Sequence, residues 1–532
     1  MAEIAKVELV VGLEVHVELA TRTKMFSRAP SIACAEFDSS EPNTCLDPVV
    51  LGLPGALPVI NREAVEMSMR VGLALGCQIA PVTRWDRKSY FYPDMPKAYQ
   101  ISQYDLPLCF DGSVDLPTPL PPDQQRGGQV QVDWDAGTRP IGIIRAHLEE
   151  DAGKLLHEAP GGHAIDYSIV DLNRAGTPLL EIVTQPDFRT SDEVVLFCQM
   201  LRNICRFLGV TEGVLQKGHM RFEPNINCVL TLADGRLVRT PIVEVKNLNS
   251  YKAVRSAIEF ELRDQPLRWR NDGREMGRGM KQTRGWDEAG GGGGRTVVQR
   301  EKEDAHDYRY FPDPDLLPVR IDEPWVERSR AAVGELPLAR LRRFVDSYGL
   351  SVKEAAALID ERDVCFLYED AIKTAAAAGV DESRAGKAVA NVLLQSGAKR
   401  ANELSSQRGE PVLVSDLGIS AASIGAIVAM REDGSLGSGR ADELFGLLCE
   451  PEHRAADARE TAKARGMLIV RDDAALDRWC DAAIAEQPQA AADVKAGKDA
   501  AIGRLVGAAM KAAGGQGDAK VIRERLLAKL RG

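Results

Sequence analysis

Val7-Glu-Leu-Val-Val-Gly-Leu-Glu-Val-His-Val-Glu-Leu19 is the stretch whose reading decides the fold. Its odd positions are apolar without a break. Its even positions carry Glu8, Gly12, Glu14, His16 and Glu18, with Val10 the one apolar exception. Successive side chains of a strand point to opposite faces, so period-two alternation predicts a half-buried strand with Glu14 and His16 side by side. Taken alone, such a polar face is the solvated side of an antiparallel sheet. What gives it weight is the company it keeps further along the chain.

At 532 residues the chain has room for about three domains. No apolar run is long enough to span a membrane, and no signal core or Arg- and Ser-rich presequence leads into the first strand. The ten cysteines include no C-x-x-C pair, which fits free thiols in a reducing compartment, the cytoplasm by default. A net charge of −11 argues against a general nucleic-acid binder. From Ala491 to Gly532, however, nine Lys and Arg face four Asp and Glu, a basic end on an acidic body.

Asn61 is placed to cap a helix over Val65, Met69 and Leu73 that stops at Gly76. The segment from Trp85 to Tyr104 then packs aromatics, charges and prolines into one irregular stretch, the composition of a functional loop. A strand over Ile141–Leu148 ends in Glu149-Glu150-Asp151, three acids that repel one another unless a cation or basic partner is near. Glu181 stands alone between Leu180 and Ile182, and a buried acid needs a partner. Thr190-Ser-Asp-Glu193 is a capping box that opens a helix running to Gly209. Lys246 lies just upstream of a helix capped by Asn249 or Ser250, a place that favours anions. The run Gly290–Gly294 is followed by Arg295 rather than Lys-Ser or Lys-Thr, so it reads as a hairpin tip and not a P-loop. The aromatic and charged stretch Asp307–Asp315 closes the first domain, and the pattern beyond Glu323 is mostly helical, rich in alanine and thin in core.

Collected, Glu14, His16, Glu149, Glu150, Asp151 and Glu181 outnumber histidine with carboxylates and lack paired cysteines. That donor set suits a hard cation, Mg²⁺ or Mn²⁺, better than zinc. Arg87, Lys88, Lys97, Lys154, Arg174 and Lys246 are suited to phosphate oxygens. With no P-loop or dinucleotide fingerprint, the combination indicates nucleotide-dependent phosphoryl transfer on an α+β scaffold.

Eight ordered motifs carry a resemblance. They are Gly12–His16, Leu51–Pro58, Asp86–Asp94, Gln100–Gln103, His147–Lys154, Asp171–Arg174, Lys246–Ser250 and Asp307–Pro312. Together with Asp493–Lys498 and Ile502–Gly507 in the tail, they resemble the B subunit of the aspartyl/glutamyl-tRNA amidotransferase over nearly the whole chain. The resemblance implies a glutamine-synthetase-like catalytic domain over 1–318, a helical domain over 319–412 and a helical tail over 413–532 that contacts tRNA. It implies a heterotrimer with A and C subunits. In it, ATP and Mg²⁺ activate the side-chain carboxylate of Glu-tRNA(Gln) or Asp-tRNA(Asn), which ammonia released from glutamine then amidates. By position, the family's metal ligands fall on Glu14, His16, Glu150 and Glu181. Glu14, Glu150, Arg87, Lys88 and Lys246 are expected to be catalytic, and Lys154, Arg174 and Asn247 to contact the nucleotide. At one point strand alternation and family position part, because alternation sets Glu149, not Glu150, beside His147. Many members hold zinc with a C-x-x-C pair whose positions here are Asp47 and Val50, so no zinc is expected and Cys34 and Cys45 read as ordinary thiols. Two competing readings are a stand-alone carboxylate–amine ligase for a small molecule and a tRNA adaptor whose acids are structural.

Overall fold

The structure is a computed structural model. It describes residues 3–125, 130–159, 163–277, 280–289, 293–301, 308–469, 472–514 and 516–531. The chain divides into two compact units, Met1–Leu336 and Pro337–Gly532. The helix Glu323–Val333 stays with the first unit, where Trp325 Nε1 donates to Glu66 at 3.2 Å and Arg62 lies over the Trp325 ring at 5.2 Å.

The first unit is built on one large sheet. Nine of its strands concern the site: β1 (Ile4–Glu18), β2 (Asp86–Ser89), β3 (Tyr99–Ser102), β4 (Val132–Glu150), β5 (Pro178–Thr184), β6 (Met220–Leu232), β7 (Val243–Lys246), β8 (Gln282–Asp287) and β9 (Arg295–Glu301). They lie in the order β9-β8-β7-β6-β1-β5-β4-β3-β2, with the short strand Phe311–Pro312 beyond β2. Every pair in this row is antiparallel except β7 with β8.

β1 behaves as its alternation predicts. Val11, Leu13, Val15 and Val17 are fully or almost fully buried, and one core joins them to three helices, α1 (Arg62–Ala74), α2 (Ser191–Phe207) and α3 (Tyr251–Asp272). The caps form as the sequence predicts. Asn61 accepts from Ala64 N, Thr190 and Glu193 close a capping box, and Ser250 accepts from Ala253 N. Helices thus cover the apolar face of the sheet, and the opposite face keeps its charges.

The β8–β9 hairpin matches the expected glycine-rich tip, although Gly290–Gly292 lie outside the described residues, as does Asp307. The described elements of the second unit are helices, apart from one isolated bridge between Leu436 and Leu468. Its last helices enclose a core of Leu476, Cys480, Ala483, Val494, Leu505, Ala509, Ile522 and Leu526, as small in side-chain volume as its alanine content implies. The coarse fold expectation therefore stands: an α+β unit with a large sheet, followed by a helical one. No described helix is long and apolar enough to cross a membrane.

Candidate active site

Register decides which charged residues meet. His16 of β1 pairs with Glu181 of β5, which pairs with His147 of β4, so all three project from the polar face. Glu149 lies one pleat further along β4, opposite Leu179 and Ser102. His16 Nε2 stands 3.8 Å from Glu149 Oε1 and 3.6 Å from Glu181 Oε2, and His147 Nε2 is 3.5 Å from the same Glu181 oxygen. The ligating atoms of His16, Glu149 and Glu181 all lie within 4.8 Å of one another. These separations are longer than good hydrogen bonds, and both His16 Nδ1 and His147 Nδ1 are buried without a hydrogen-bond partner.

The electrostatics of the cluster are uneven. Burial pushes Glu149 up to about 7, helped by the charge of Glu181. Burial also drives His147 down to about 4. At His16 burial works the same way, but the Glu181 hydrogen-bond interaction and the charges of Glu223 and Glu181 outweigh it and raise the imidazole to about 9. Burial alone would raise Glu181, yet His147 and His16 hold it well below the usual carboxylate range. Lys88 adds positive charge that favours the ionised forms of both Glu149 and Glu181. The cluster thus sets one histidine, sharing positive charge, between acids whose ionised forms burial disfavours.

Glu150 does not join them. It points to the opposite face, where Lys97 pairs with its carboxylate and Ile101 N donates to Oε1 at 3.0 Å. β4 stays paired to its last residue, with Glu150 opposite Pro178, so the pleat persists and Glu149 takes the polar side. Strand alternation thus holds to the end of β4, and it is Glu149 that shares the polar face with His16 and Glu181.

Glu14 belongs to a second cluster on the same face. Its Oε1 accepts from Asn225 Nδ2 at 2.9 Å and lies 3.4 Å from Lys281 Nζ. Glu14, Glu223 and Glu244 again bring three ligating atoms within 4.8 Å of one another. Here a cation of the protein already sits among the acids. Lys246 Nζ lies 2.5 Å from Glu223 Oε2 and 3.2 Å from Glu244 Oε1.

The remaining sequence candidates scatter. Arg87 is held by Asp313 at 2.8 Å and Asp315 at 2.7 Å and lies over the Tyr99 ring. Arg174 donates to the carbonyls of Ala152 and Gly153, which fixes the chain just after the acidic triplet. Lys154 opens an exposed hairpin, and Asn247 takes the left-handed conformation that asparagine tolerates, between β7 and α3. Glu18 is buried, not solvated. It is 3% exposed beside Asp151 and is pushed up to about 8 by burial and then by the Asp151 charge. Glu223 and Glu244 were not singled out by the sequence, though alternation in Met220–Asn227 and Val243–Lys246 carries the signal.

Two family models match most of the chain. Residues 9–327 match the family model of the GatB/GatE catalytic domain, and residues 373–530 match that of the GatB domain. Curated relatives, each named as the B subunit of an aspartyl/glutamyl-tRNA(Asn/Gln) amidotransferase, cover almost the full length. The protein of Rhodopirellula baltica is 40% identical over 95% of this chain and 93% of its own. That of Thermomicrobium roseum is 41% identical over 98% of both chains. That of Moorella thermoacetica is 38% identical over 98% of this chain and 99% of its own. The chain belongs to the family of the aspartyl/glutamyl-tRNA(Asn/Gln) amidotransferase B subunits.

Proposed function

We propose that this chain is the carboxylate-activating component of a tRNA-dependent amidotransferase. A side-chain carboxylate oxygen of Glu-tRNA(Gln) or Asp-tRNA(Asn) attacks the γ-phosphorus of ATP, and ADP leaves. Ammonia, supplied from glutamine by an A subunit, then attacks the acyl carbon, loses a proton and expels phosphate, leaving Gln-tRNA(Gln) or Asn-tRNA(Asn). The observation that carries this reading is the convergence of His16, Glu149 and Glu181 on the polar face, with Lys88 beside them.

The donors fit a hard divalent cation. One imidazole and two carboxylates stand too far apart to satisfy one another and near enough for one ion to reach all three, and a buried imidazole nitrogen is left over. Mg²⁺, or Mn²⁺, held there would neutralise negative charge developing on transferred phosphoryl oxygens. Lys88 contributes positive charge at the same place. Arg221, 2.7 Å from Asp151, and Arg174 brace the turn that follows Glu149, keeping the strand end rigid. The large sheet with a polar active face is the arrangement expected of a glutamine-synthetase-like fold. Exposed Arg504, Lys511, Lys520 and Arg523 of the last helices supply the basic surface for tRNA. A and C subunits complete the enzyme, working in the cytoplasm.

Co-expression with A and C subunits should yield ATP- and glutamine-dependent amidation of Glu-tRNA(Gln) or Asp-tRNA(Asn). Failure with both substrates overturns the proposal. Turnover of free glutamate with ammonia by the chain alone would favour a small-molecule ligase instead.

A further inference from the structure

Three tyrosines beside the acidic cluster take no part in the chemistry above. Tyr104 and Tyr310 stack with ring centroids 4.1 Å apart and planes 12° from parallel. Tyr308 meets Tyr310 edge-on at 6.1 Å, and the Lys88 ammonium sits 4.8 Å from the centre of the Tyr308 ring. Glu149 and Glu181 are close enough to add to the burial that pushes the Tyr310 hydroxyl up. The aromatic row therefore begins at the metal-type cluster and runs outward.

Both ends of the stack are braced. Tyr104 lies two residues beyond Ser102, the partner of Glu149, and Asp86 Oδ2 accepts the backbone N–H of Tyr104 and of Asp105 at 3.3 Å each. Asp86 is 2% exposed, so this anchor is part of the packed interior. Tyr310 immediately precedes the short strand Phe311–Pro312, which pairs with Arg87 and Asp86 of β2. The two tyrosines are distant in sequence and tied to the same strand. Tyr310 covers one side of the Tyr104 ring, and Tyr104 still keeps 44% of its surface exposed. A ring backed on one side by a second ring and still 44% exposed, beside a cationic and acidic cluster, has the form of a stacking surface. Any nucleobase can use it, because every base has a π-face.

We propose that Tyr104, backed by Tyr310, is the stacking platform for the adenine of a nucleotide whose reacting end enters the His16–Glu149–Glu181 cluster. This deepens the function proposed above and rests on it. Two substrates of that reaction carry the required chemistry: ATP and the 3′-terminal adenosine of the aminoacylated tRNA.

The test uses the chain assembled with its partner subunits. Tyr104→Ala, Tyr104→Leu and Tyr104→Phe are compared with wild type for the Kd of ATP, the Kd of Mg²⁺-tripolyphosphate, and the KM for misacylated tRNA. If ATP supplies the base, Ala and Leu raise its Kd about tenfold or more, while tripolyphosphate binding and the tRNA KM stay within twofold. If the tRNA end supplies it, the tRNA KM rises by a similar factor with ATP binding unchanged. In either case Phe, which keeps the ring, stays near wild type. Leu, which keeps the bulk without the π-face, carries the test should Ala fail to fold. The platform is refuted if Leu stays within twofold of wild type for both ligands, or if tripolyphosphate weakens as much as ATP. A wild-type complex that binds neither ATP nor tRNA refutes the proposed function itself, which separates the two failures.

Discussion

Two triads on one sheet face share a geometry and differ in what fills them. In each, three ligating atoms lie within 4.8 Å of one another. The Glu14–Glu223–Glu244 triad holds Lys246, whose own pKa is pushed up by the acids against the cost of burial. Among the described residues the His16–Glu149–Glu181 triad has no lysine at ion-pair distance, and its separations of 3.6 and 3.8 Å satisfy none of its members well. The lesson is that an acidic cluster alone does not define a cation site. What distinguishes one is charge that the protein has not already balanced.

The largest effect expected from this contrast is on catalysis. Glu181→Gln or Glu149→Gln removes a carboxylate from the unbalanced triad and should lower kcat/KM for amidation by about three orders of magnitude, as the loss of several kcal/mol of charge stabilisation requires. Mg²⁺ affinity, read by calorimetry on the assembled enzyme, should fall with it. Glu150→Gln is the control, because Glu150 faces Lys97 on the other side of the sheet. Its Mg²⁺ affinity should match wild type within a few-fold. Equal loss of affinity in Glu150→Gln would return Glu150 to the ligand set.

Emptying the filled triad should make it resemble the other. Lys246→Met leaves Glu223 and Glu244 facing each other without their cation, and should cost about 3–5 kcal/mol of stability as an uncompensated buried charge. The same change turns the triad into an open site. Millimolar Mg²⁺ should therefore raise the Tm of the variant clearly more than that of wild type. A variant as indifferent to Mg²⁺ as wild type would show that three acids at this spacing do not hold the ion.

Much of this was legible in the sequence wherever the signal was local. The odd–even pattern from Val7 to Leu19 set His16 and Glu14 on one face, and the same rule set Glu149 rather than Glu150 beside His147, as β4 keeps its pleat to the end. Asn61, Thr190 and Ser250 announced their helices, since a cap and its target lie three residues apart. What sequence hid was strand order. Nothing local says that β1 runs between β5 and β6, so neither the pairing of His16 with Glu181 nor that of Glu14 with Glu223 was visible. For the same reason Lys246 read as an anion binder, although its neighbours are acids, and Glu18 read as solvated, although it is buried beside Asp151 and Arg221.

A third internal cation extends the contrast to a lysine with no carboxylate at ion-pair distance among the described residues. Lys24 is fully buried, and its Nζ donates to the carbonyl of Ala175 at 2.6 Å and of Leu172 at 3.4 Å. Burial lowers it from 10.5 to about 8, the opposite direction from Lys246. Below pH 8 both folded and unfolded chains bind the proton, and the whole burial penalty is present. Above about pH 10.5 neither does, and the penalty is gone. Between the two the unfolded chain holds more protons, so this group makes stability rise with pH. The rise amounts to about 3 kcal/mol for a shift of this size. Lys24→Met should remove it. Urea unfolding of wild type and variant at pH 7.5, 9 and 10.5 gives the difference directly, free of every other titrating group the two proteins share. A wild-type advantage that stays constant across the three values would show that the Ala175 and Leu172 carbonyls alone keep Lys24 charged, and that a buried ammonium here needs no carboxylate at all.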